Sequence, residues 1–483
     1  MIDKRTYQLI LPLNLIGIIS SLTVPLRGTI KEGYSVGVKL GTPPQKFNLL
    51  LDTGSSNLAV AGNSLQNTDS YFHREKSSTL VDYELHQSVR YSQGSFSGNV
   101  VGDMISFTRA SNFTPIKVQF VEITKSDKFF LTGVDWQGIM GLGYSTLAPE
   151  IDSFWEIFRK AQGIEDIFAI QLCGLKAKYQ EGSSQGFMEI DSFWEIFRKA
   201  QGIADIFAIQ LCGLKAKYQE GSSQGFMTLG SISTSMYKGA IQYTPIIEES
   251  YYQILISDIK IANISLGMDC KEFNYQMTIV DSGTSDLRLP TRVHKIVVNH
   301  IRQIVSEYFK IPDSFWSQES EECWDESFDV LSYFPNISLL FPTNSHFNET
   351  FEVTLSSLQY ISKIQDEEDP SNCYRFSISK SDSITVIGAT LMEGFYIVFD
   401  RTESRIGFAQ SACVPVTTVS EETAFINSTN CEFKKTFPNE MPMMFAAYVI
   451  AVVSVVSVSF LTLALVCSRK PRYYQLPETT LLD

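Results

Sequence analysis

Two short motifs constrain the fold of this chain more than any other feature. The apolar run Phe47–Leu51 ends in Asp52-Thr53-Gly54, and the run Met277–Val280 ends in Asp281-Ser282-Gly283. Each reads as a strand that breaks into a tight turn, where glycine lets backbone N–H groups approach the preceding carboxylate. The chain therefore predicts two related halves, each of which presents one aspartate at the end of a buried strand.

One such motif is weak evidence for a catalytic aspartate, because aspartate beside glycine and serine is common in surface turns. Two unrelated turn aspartates are the alternative interpretation. Two carboxylates within about 3 Å cannot both ionise cheaply, so a true pair shares one proton. The ionised group then activates a water while the protonated group hydrogen-bonds a substrate carbonyl. This chemistry predicts hydrolysis by Asp52 and Asp281 without a metal, a cofactor or a covalent intermediate.

Other hydrolytic chemistries lack their motifs. The five histidines show no His-Glu-x-x-His spacing, and no Gly-x-Ser-x-Gly sequence occurs. The formal charge of -14 opposes binding to phosphate backbones and argues against a nucleic-acid partner.

A tandem repeat interrupts the chain. Glu150–Met188 recurs as Glu189–Met227, thirty-nine residues that differ only at Glu165 and Ala204. Solenoid arrays use more copies with more drift, so a gene-model error or a recent exon duplication is favoured over a functional tandem module. The two aspartates are 229 positions apart, and 190 apart without one copy.

Both ends of the chain carry apolar segments. Residues 1–21 have the layout of a secretory signal peptide, with a buried strand as the alternative. Residues 444–467 are uncharged and long enough to cross a bilayer, and basic residues follow at Arg469, Lys470 and Arg472. The positive-inside rule then places 468–483 in the cytosol and the rest outside it, as in a type I membrane protein of the Golgi, endosome or cell surface.

Cysteines and glycosylation sequons agree with that compartment. Sequons begin at Asn112, Asn263, Asn336, Asn348 and Asn427. Seven cysteines precede residue 444, and removal of one repeat copy, with Cys173 or Cys212, leaves six. An even number suits disulfide pairing, but spacing alone leaves the connectivity open.

With both motifs present, the chain resembles the pepsin-like aspartic proteases, and the beta-secretase group in particular. Tyr91-Ser92-Gln93-Gly94 resembles that family's flap, a hairpin that closes over substrate. The resemblance implies that Tyr91, Gln93, Gly54 and Gly283 contact substrate. It also implies an apolar pocket, although these residues could equally be ordinary core; its members would be Leu50, Phe129, Trp136 and Ile139.

Further matches concern specificity and sorting. Arg288 stands where beta-secretases keep an arginine that favours polar or acidic substrate side chains; a plain surface arginine is the alternative. Ala59 matches the same group, and Glu478–Leu482 resembles its acidic dileucine signal for sorting adaptors. Gly138–Gly141 and Val386–Gly388 resemble the segments that run beneath each aspartate.

The resemblance also implies disulfides and domains. The implied pairs are Cys270 with Cys431, Cys323 with Cys373, and Cys413 with Cys173 or Cys212. The expected fold is mostly β and bilobal, with lobes at 28–240 and 241–431 before a single spanning helix at 444–467. Two departures stand out: Phe96 replaces the tryptophan expected beside the flap, and Asp286 replaces an asparagine.

The sequence thus predicts a membrane-anchored aspartic endopeptidase that cuts polypeptides, including the ectodomains of other membrane proteins. A membrane glycoprotein whose cleft only binds, because the duplication impairs catalysis, is the alternative.

Overall fold

The computed structural model describes residues 22–30, 33–91, 94–109, 115–144, 206–211, 225–229, 232–325, 327–343, 349–364, 372–412, 418–426 and 428–432. The predicted signal peptide, the first repeat copy, residues 444–483, Gln93, Cys173, Cys212 and Cys413 lie outside these ranges. Within them, no helix combines the length and apolar character needed to cross a bilayer.

β-Strands dominate the described residues. Up to residue 245 the strands are β1 Leu22–Thr29, β2 Gly33–Leu40, β3 Gln45–Asp52, β4 Leu58–Ala61, β5 Val81–Arg90, β6 Ser95–Phe107, β7 Ile116–Asp127, β8 Gly138–Gly141, β9 Ile206–Leu211, β10 Gly225–Leu229 and β11 Tyr237–Pro245.

The later strands are β12 Glu248–Glu249, β13 Tyr252–Ile254, β14 Asp258–Ile261, β15 Ile264–Ser265, β16 Thr278–Val280, β17 Leu287–Pro290, β18 Glu322–Trp324, β19 Ile337–Pro342, β20 Glu349–Leu355, β21 Ile361–Lys363, β22 Asn372–Phe376, β23 Ile378–Ser381, β24 Thr385–Ile387, β25 Phe395–Asp400, β26 Arg405–Ser411 and β27 Thr418–Phe425.

Helices are few among the described residues. They are α1 Cys270–Phe273, α2 Thr291–Val305, α3 Asp313–Trp316, α4 Ser357–Tyr360 and α5 Ala389–Met392, with 3₁₀ turns at Arg74–Lys76 and Val330–Tyr333. Only α2 exceeds one turn, and it buries one face through Val293, Val297 and Ile301.

The strands form one large sheet and three smaller ones. The large sheet has the order β11-β26-β25-β9-β10-β1-β2-β3-β8-β4-β7-β6-β5, so strands from both ends of the described chain meet in it. The others are β12-β13-β16-β24-β17-β23, β15-β14-β19-β20-β27 and β18-β22-β21. The expected mostly-β, two-halved architecture is confirmed.

Each half contains the same three-strand unit. In the first half β8 lies between β3, to which it is parallel, and β4, to which it is antiparallel. In the second half β24 lies in the same way between β16 and β17. Gly138–Gly141 and Val386–Gly388 therefore run beside the aspartate strands, as the resemblance implied.

The second repeat copy supplies β9 and β10. Its segment Ile206–Leu211 pairs with both β10 and β25. Thr228, directly after the copy, is fully buried in β10, whereas Glu189 follows the first copy at the same point. A glutamate there would bury an unpaired charge, so β10 requires the second copy.

Two of the implied disulfides are present. Cys270 bonds Cys431, and Cys323 bonds Cys373. The pairing of Cys413 stays a prediction, because Cys413 and its two possible partners, Cys173 and Cys212, lie outside the described residues.

Candidate active site

Both aspartates stand at the ends of buried strands. Asp52 is the last residue of β3, opposite Gly141 of β8, and Asp281 directly follows β16. Leu49 and Leu51 on β3 are fully buried, as are the residues of β16. Strands shielded by neighbours on both sides favour such unbroken apolar runs, and this explains why each polar motif begins where the run stops.

The two turns hold their carboxylates with matching hydrogen bonds. The Gly54 amide donates to Asp52 Oδ1 at 2.9 Å, and the Ser55 hydroxyl donates to Oδ2 at 2.5 Å. The Gly283 amide donates to Asp281 Oδ1 at 2.9 Å, and the Thr284 hydroxyl donates to Oδ2 at 2.6 Å. Each carboxylate therefore has a fixed orientation.

The residues after the aspartates tie the turns together. The Thr53 hydroxyl donates to the Val280 carbonyl at 2.9 Å and accepts the Ser282 amide at 3.0 Å. Reciprocally, the Ser282 hydroxyl donates to the Leu51 carbonyl at 2.7 Å and accepts the Thr53 amide at 3.2 Å. Four buried hydrogen bonds thus join the two halves of the chain beneath the aspartates.

The motif glycines bring the carboxylates face to face. A Cβ on Gly54 would lie 2.6 Å from Asp281 Cγ, and one on Gly283 would lie 2.5 Å from Asp52 Oδ1. Neither position has room for a side chain. Each glycine is required because the opposite carboxylate occupies the space that its Cβ would fill.

Burial and mutual repulsion bias the pair toward protonation. Asp52 is only 5% exposed, and burial raises its pKa well above the ordinary value, with the charge of Asp281 as the second cause. The hydrogen bonds from Ser55 and Gly54 oppose that rise. The site is therefore suited to hold one proton between two carboxyl groups.

The predicted flap tyrosine lies above the first aspartate. Tyr91 closes a hairpin turn in which its amide donates to the Gly94 carbonyl at 3.0 Å, and Gly94 has φ +84°. Burial, and then the charge of Asp52, raise the pKa of the Tyr91 hydroxyl. The neighbouring side chains of Ser55 and Asn57 oppose that rise. Gln93, the other flap residue proposed, lies outside the described residues.

The four proposed pocket residues belong to one buried apolar cluster: Leu50, Phe129, Trp136 and Ile139. The Phe129 ring lies 5.6 Å from Tyr91 and 5.8 Å from Trp136, measured between centroids. The cluster therefore adjoins the flap tyrosine, where a substrate side chain would need an apolar surface.

Arg288 and Asp286 follow the second turn. Arg288 is half-buried on β17, and its Nε has no hydrogen-bond partner among the described residues. Asp286 accepts from Arg375 at 2.8 Å and from Gln318 at 3.1 Å. The charge that distinguishes Asp286 from an asparagine is thus balanced by Arg375.

Sequence reasoning missed two residues near the aspartate turns, Tyr251 and Asn57. The charges of Asp281 and Asp52 act on Tyr251, whose pKa is raised, mainly by burial. Asn57 accepts the Gln87 amide at 3.1 Å behind the first turn. Tyr251 carries no motif that could have marked it, whereas Asn57 follows Asp52 by the same five positions that separate Asp286 from Asp281.

Comparison with known proteins agrees with this geometry. The family model described as eukaryotic aspartyl protease matches residues 33–193 and 174–411, two matches that overlap in the repeat. A beta-secretase of Strongylocentrotus purpuratus is 34% identical over 457 residues, or 89% of this chain and 78% of that protein. Chymosin of Bos taurus is 23% identical over 399 residues, or 80% of this chain and 84% of that protein. The chain belongs to the pepsin-like aspartyl protease family and is an aspartic-type endopeptidase.

Proposed function

We propose that this endopeptidase is a membrane-anchored protease of beta-secretase type, in which Asp52 and Asp281 are the catalytic pair. The observation that carries the catalytic assignment is the contact of each motif glycine with the opposite carboxylate. That contact leaves the two carboxyl groups within hydrogen-bonding reach of each other.

The proposed reaction uses the shared proton. The ionised carboxylate takes a proton from a water held between the aspartates, and the water oxygen attacks the substrate carbonyl. The other carboxyl group gives its proton to the carbonyl oxygen, and a neutral tetrahedral diol forms. When the diol collapses, the C–N bond breaks, the departing amine takes the proton that the first carboxylate received from water, and the second carboxylate recovers a proton from a diol hydroxyl. A dyad of this kind works in mildly acidic conditions, where one proton remains on the pair.

Membrane attachment rests on the sequence. The uncharged stretch 444–467, with basic residues after it, supports one spanning helix with the catalytic halves outside the cytosol. An enzyme held there would meet the ectodomains of other membrane proteins in the Golgi, endosome or cell surface, and the acidic dileucine tail would engage sorting adaptors. The likeness to a beta-secretase supports this assignment.

Substrate preference follows from the residues around the dyad. The apolar cluster of Leu50, Phe129, Trp136 and Ile139 would accept an apolar side chain before the cut. Arg288, whose Nε has no hydrogen-bond partner among the described residues, would favour a polar or acidic side chain nearby.

The test is turnover of a fluorogenic peptide between about pH 4 and 6, with and without a statine-type inhibitor. We expect inhibitable cleavage, and a loss of about 10²- to 10⁴-fold in Asp52→Asn and in Asp281→Asn. Asp382→Asn, an exposed aspartate on the second half, is the control and should retain full activity. Undiminished cleavage in either dyad variant would exclude the pair as the catalyst.

The repeat offers a test against the binding-only alternative. Deletion of 150–188 and deletion of 189–227 give single-copy chains that differ only by Ala204 or Glu165. Since both retain Thr228 after the remaining copy, we expect both to cleave the peptide at similar rates. If only the single-copy chains turn over, the duplicated chain is the impaired glycoprotein of the alternative.

A further inference from the structure

A second cavity lies away from the catalytic turns, at the other end of β3. Its volume is about 530 Å³, and its lining includes Lys46 and Asn48 of β3. Lys46 and Asp52 are six residues apart on one strand, which corresponds to about 20 Å. The cavity is therefore distinct from the aspartate pair.

The cavity opens where β2 changes its neighbour. Strand β1 pairs with β2 as far as Val36, and β6 pairs with it from Val38 onward. Gly37 lies between these two pairings, and the Thr108 amide donates to its carbonyl at 2.9 Å. A Cβ on Gly37 would lie 2.5 Å from Thr108 Oγ1. The gap between β1 and β6 is thus built into the sheet and has a glycine in its wall.

Positive charge is concentrated around this gap. The lining includes Arg27, Lys39, Lys46 and Arg109 together with the carboxylate of Asp69, and the charge of Arg27 also acts on the neighbouring Asp135. Asp69 already accepts the Gln137 amide at 2.8 Å. In a chain with a formal charge of -14, four cations around one cavity mark a site for negative charge.

Two of these cations face each other without a counter-ion. Lys39 and Lys46 are directly opposed across the β2–β3 ladder. Like charges at such positions repel and destabilise the sheet. Neither lysine takes part in any salt bridge among the described residues, so neither has a carboxylate within ion-pair distance there. A bound anion would relieve the repulsion.

The size and polar lining of the cavity suit a small ligand. Its volume lies within the range of about 300 to 1,000 Å³ that small-molecule sites occupy. Thr108 and Ser70 add hydroxyls to the cationic lining. Such hydroxyls beside lysine and arginine donate to phosphate or sulfate oxygens.

We propose that this cavity binds a small ligand carrying two or more phosphate or sulfate groups. Lys39 and Lys46 would contact one anionic group at the β2–β3 ladder, and Arg27 would contact another across the gap. The site is independent of the protease activity and would be present whether or not the aspartate pair is catalytic.

The experiment is isothermal titration of the full-length chain with two probes, inositol hexakisphosphate and sucrose octasulfate. The first probe tests phosphate groups and the second tests sulfate groups. We expect saturable binding of at least one probe, and binding at least tenfold weaker in the double variant Lys39→Gln/Lys46→Gln. The control Lys271→Gln/Lys295→Gln removes the same charge from exposed lysines of the second half and should change affinity less than twofold.

The thermal midpoint of each variant verifies its fold, and peptide turnover verifies that the aspartate pair is unaffected. Absence of binding by both probes at millimolar concentration would overturn the proposal. Equal weakening in the two double variants would also overturn it, because that result describes general charge attraction. Binding of only one probe identifies the anionic group that the site selects.

Discussion

The turns that begin at Asp52 and Asp281 carry corresponding residues at their first five positions, with serine and threonine exchanged at the second and fourth, and differ at the sixth. In both, a glycine amide and a hydroxyl donate to the two carboxylate oxygens, at distances that agree within about 0.1 Å. At the sixth position, Asn57 accepts from Gln87, whereas Asp286 accepts from Gln318 and pairs with Arg375. The aspartate at the first position is thus held by the same kinds of hydrogen bond in both turns, whereas the residue at the sixth position has different partners in each.

The surroundings of the two turns also differ. Tyr91 lies closer to the influence of the first turn, because the charge of Asp52 acts on its hydroxyl more than that of Asp281 does. Asp52 is buried, whereas Asp281 is partly exposed. The shared hydrogen bonds set the geometry of the pair, and the unequal burial makes the two carboxyl groups chemically inequivalent. The shared proton itself follows from the repulsion between the two carboxylates, which a symmetric pair would also have.

Replacing either motif glycine should disrupt the geometry that the two turns share. Gly54→Ala would push on Asp281, and Gly283→Ala would push on Asp52, because each new Cβ lies within 2.6 Å of the opposite carboxylate. A displacement of the dyad by about 1 Å costs on the order of 100-fold in rate. We expect kcat to fall by about that factor in both variants, measured by peptide turnover.

Gly239→Ala is the control for the glycine variants, since its Cβ would meet nothing within 4 Å. Its positive φ, 75°, adds a backbone strain that Gly54→Ala and Gly283→Ala do not have, so retained activity in Gly239→Ala shows that a strained methyl group away from the dyad is tolerated. Full activity in Gly54→Ala would show that the turns do not face each other as described.

The raised pKa of Asp52 predicts how stability depends on pH. A carboxyl group with a raised folded-state pKa stabilises the fold below its unfolded-state pKa, and that contribution is lost as pH rises through the folded-state value. Acidification from neutral pH should therefore stabilise the wild type relative to Asp52→Asn, with a slope of up to about 1.4 kcal/mol per pH unit. Chemical denaturation of both proteins at several pH values measures the difference.

Glu122 and Asp135 also have raised pKa values, each mainly through burial, and contribute in the same direction. They are unchanged in Asp52→Asn, so the difference between the two proteins reports on Asp52 and its coupling to Asp281. Parallel stability curves would contradict the assignment of a raised pKa to Asp52.

Much of this site was predictable because it is local in sequence. Asp52 and Asp281 each end an apolar run, and Gly54 and Gly283 follow at fixed spacing, so the turns could be predicted without any knowledge of the fold. The mostly-β architecture and the disulfide pairs came from the resemblance, since neither strand order nor cysteine connectivity is fixed by local pattern.

What could not be predicted depends on distant contacts. The pairing of Asp286 with Arg375 joins residues 89 positions apart. The proximity of Tyr251 to the dyad and the gap at Gly37 likewise exist only once strands from separate segments are assembled. The sequence also could not show which copy of the repeat supplies β10, because the two copies are nearly identical and only the folded sheet distinguishes them.

Removing one hydroxyl from each turn should sharpen the difference between the two carboxyl groups. The Ser55 hydrogen bond lowers the pKa of Asp52, so Ser55→Ala should raise that pKa further. A hydrogen bond to a charged group is worth about 1.5 to 3 kcal/mol, which corresponds to at least about one pH unit. The raised pKa governs loss of the shared proton, so we expect the alkaline limb of kcat/KM to move to higher pH by about that amount.

Ser55→Thr keeps the hydroxyl and should restore the limb, while Thr284→Ala removes the matching bond from Asp281. Unequal shifts in Ser55→Ala and Thr284→Ala would reflect the unequal burial of the two carboxyl groups. Unchanged limbs in both variants would show that these hydroxyls do not tune the dyad.

Asp286→Asn should give the smallest effect, because it makes the second turn end as the first one does. The variant removes the ion pair with Arg375, whose side chain is 28% exposed and therefore partly hydrated. Partly exposed pairs of this kind contribute about 1 kcal/mol or less. We expect a loss of stability of at most that size, with kcat nearly unchanged because the hydrogen bonds to Asp281 come from Gly283 and Thr284. The double variant Asp286→Asn/Arg375→Gln removes both charges, so comparison with the two single variants measures the contribution of the ion pair to stability. A large fall in kcat for Asp286→Asn would instead mean that the ion pair positions Asp281, and that the two turns depend on different supports.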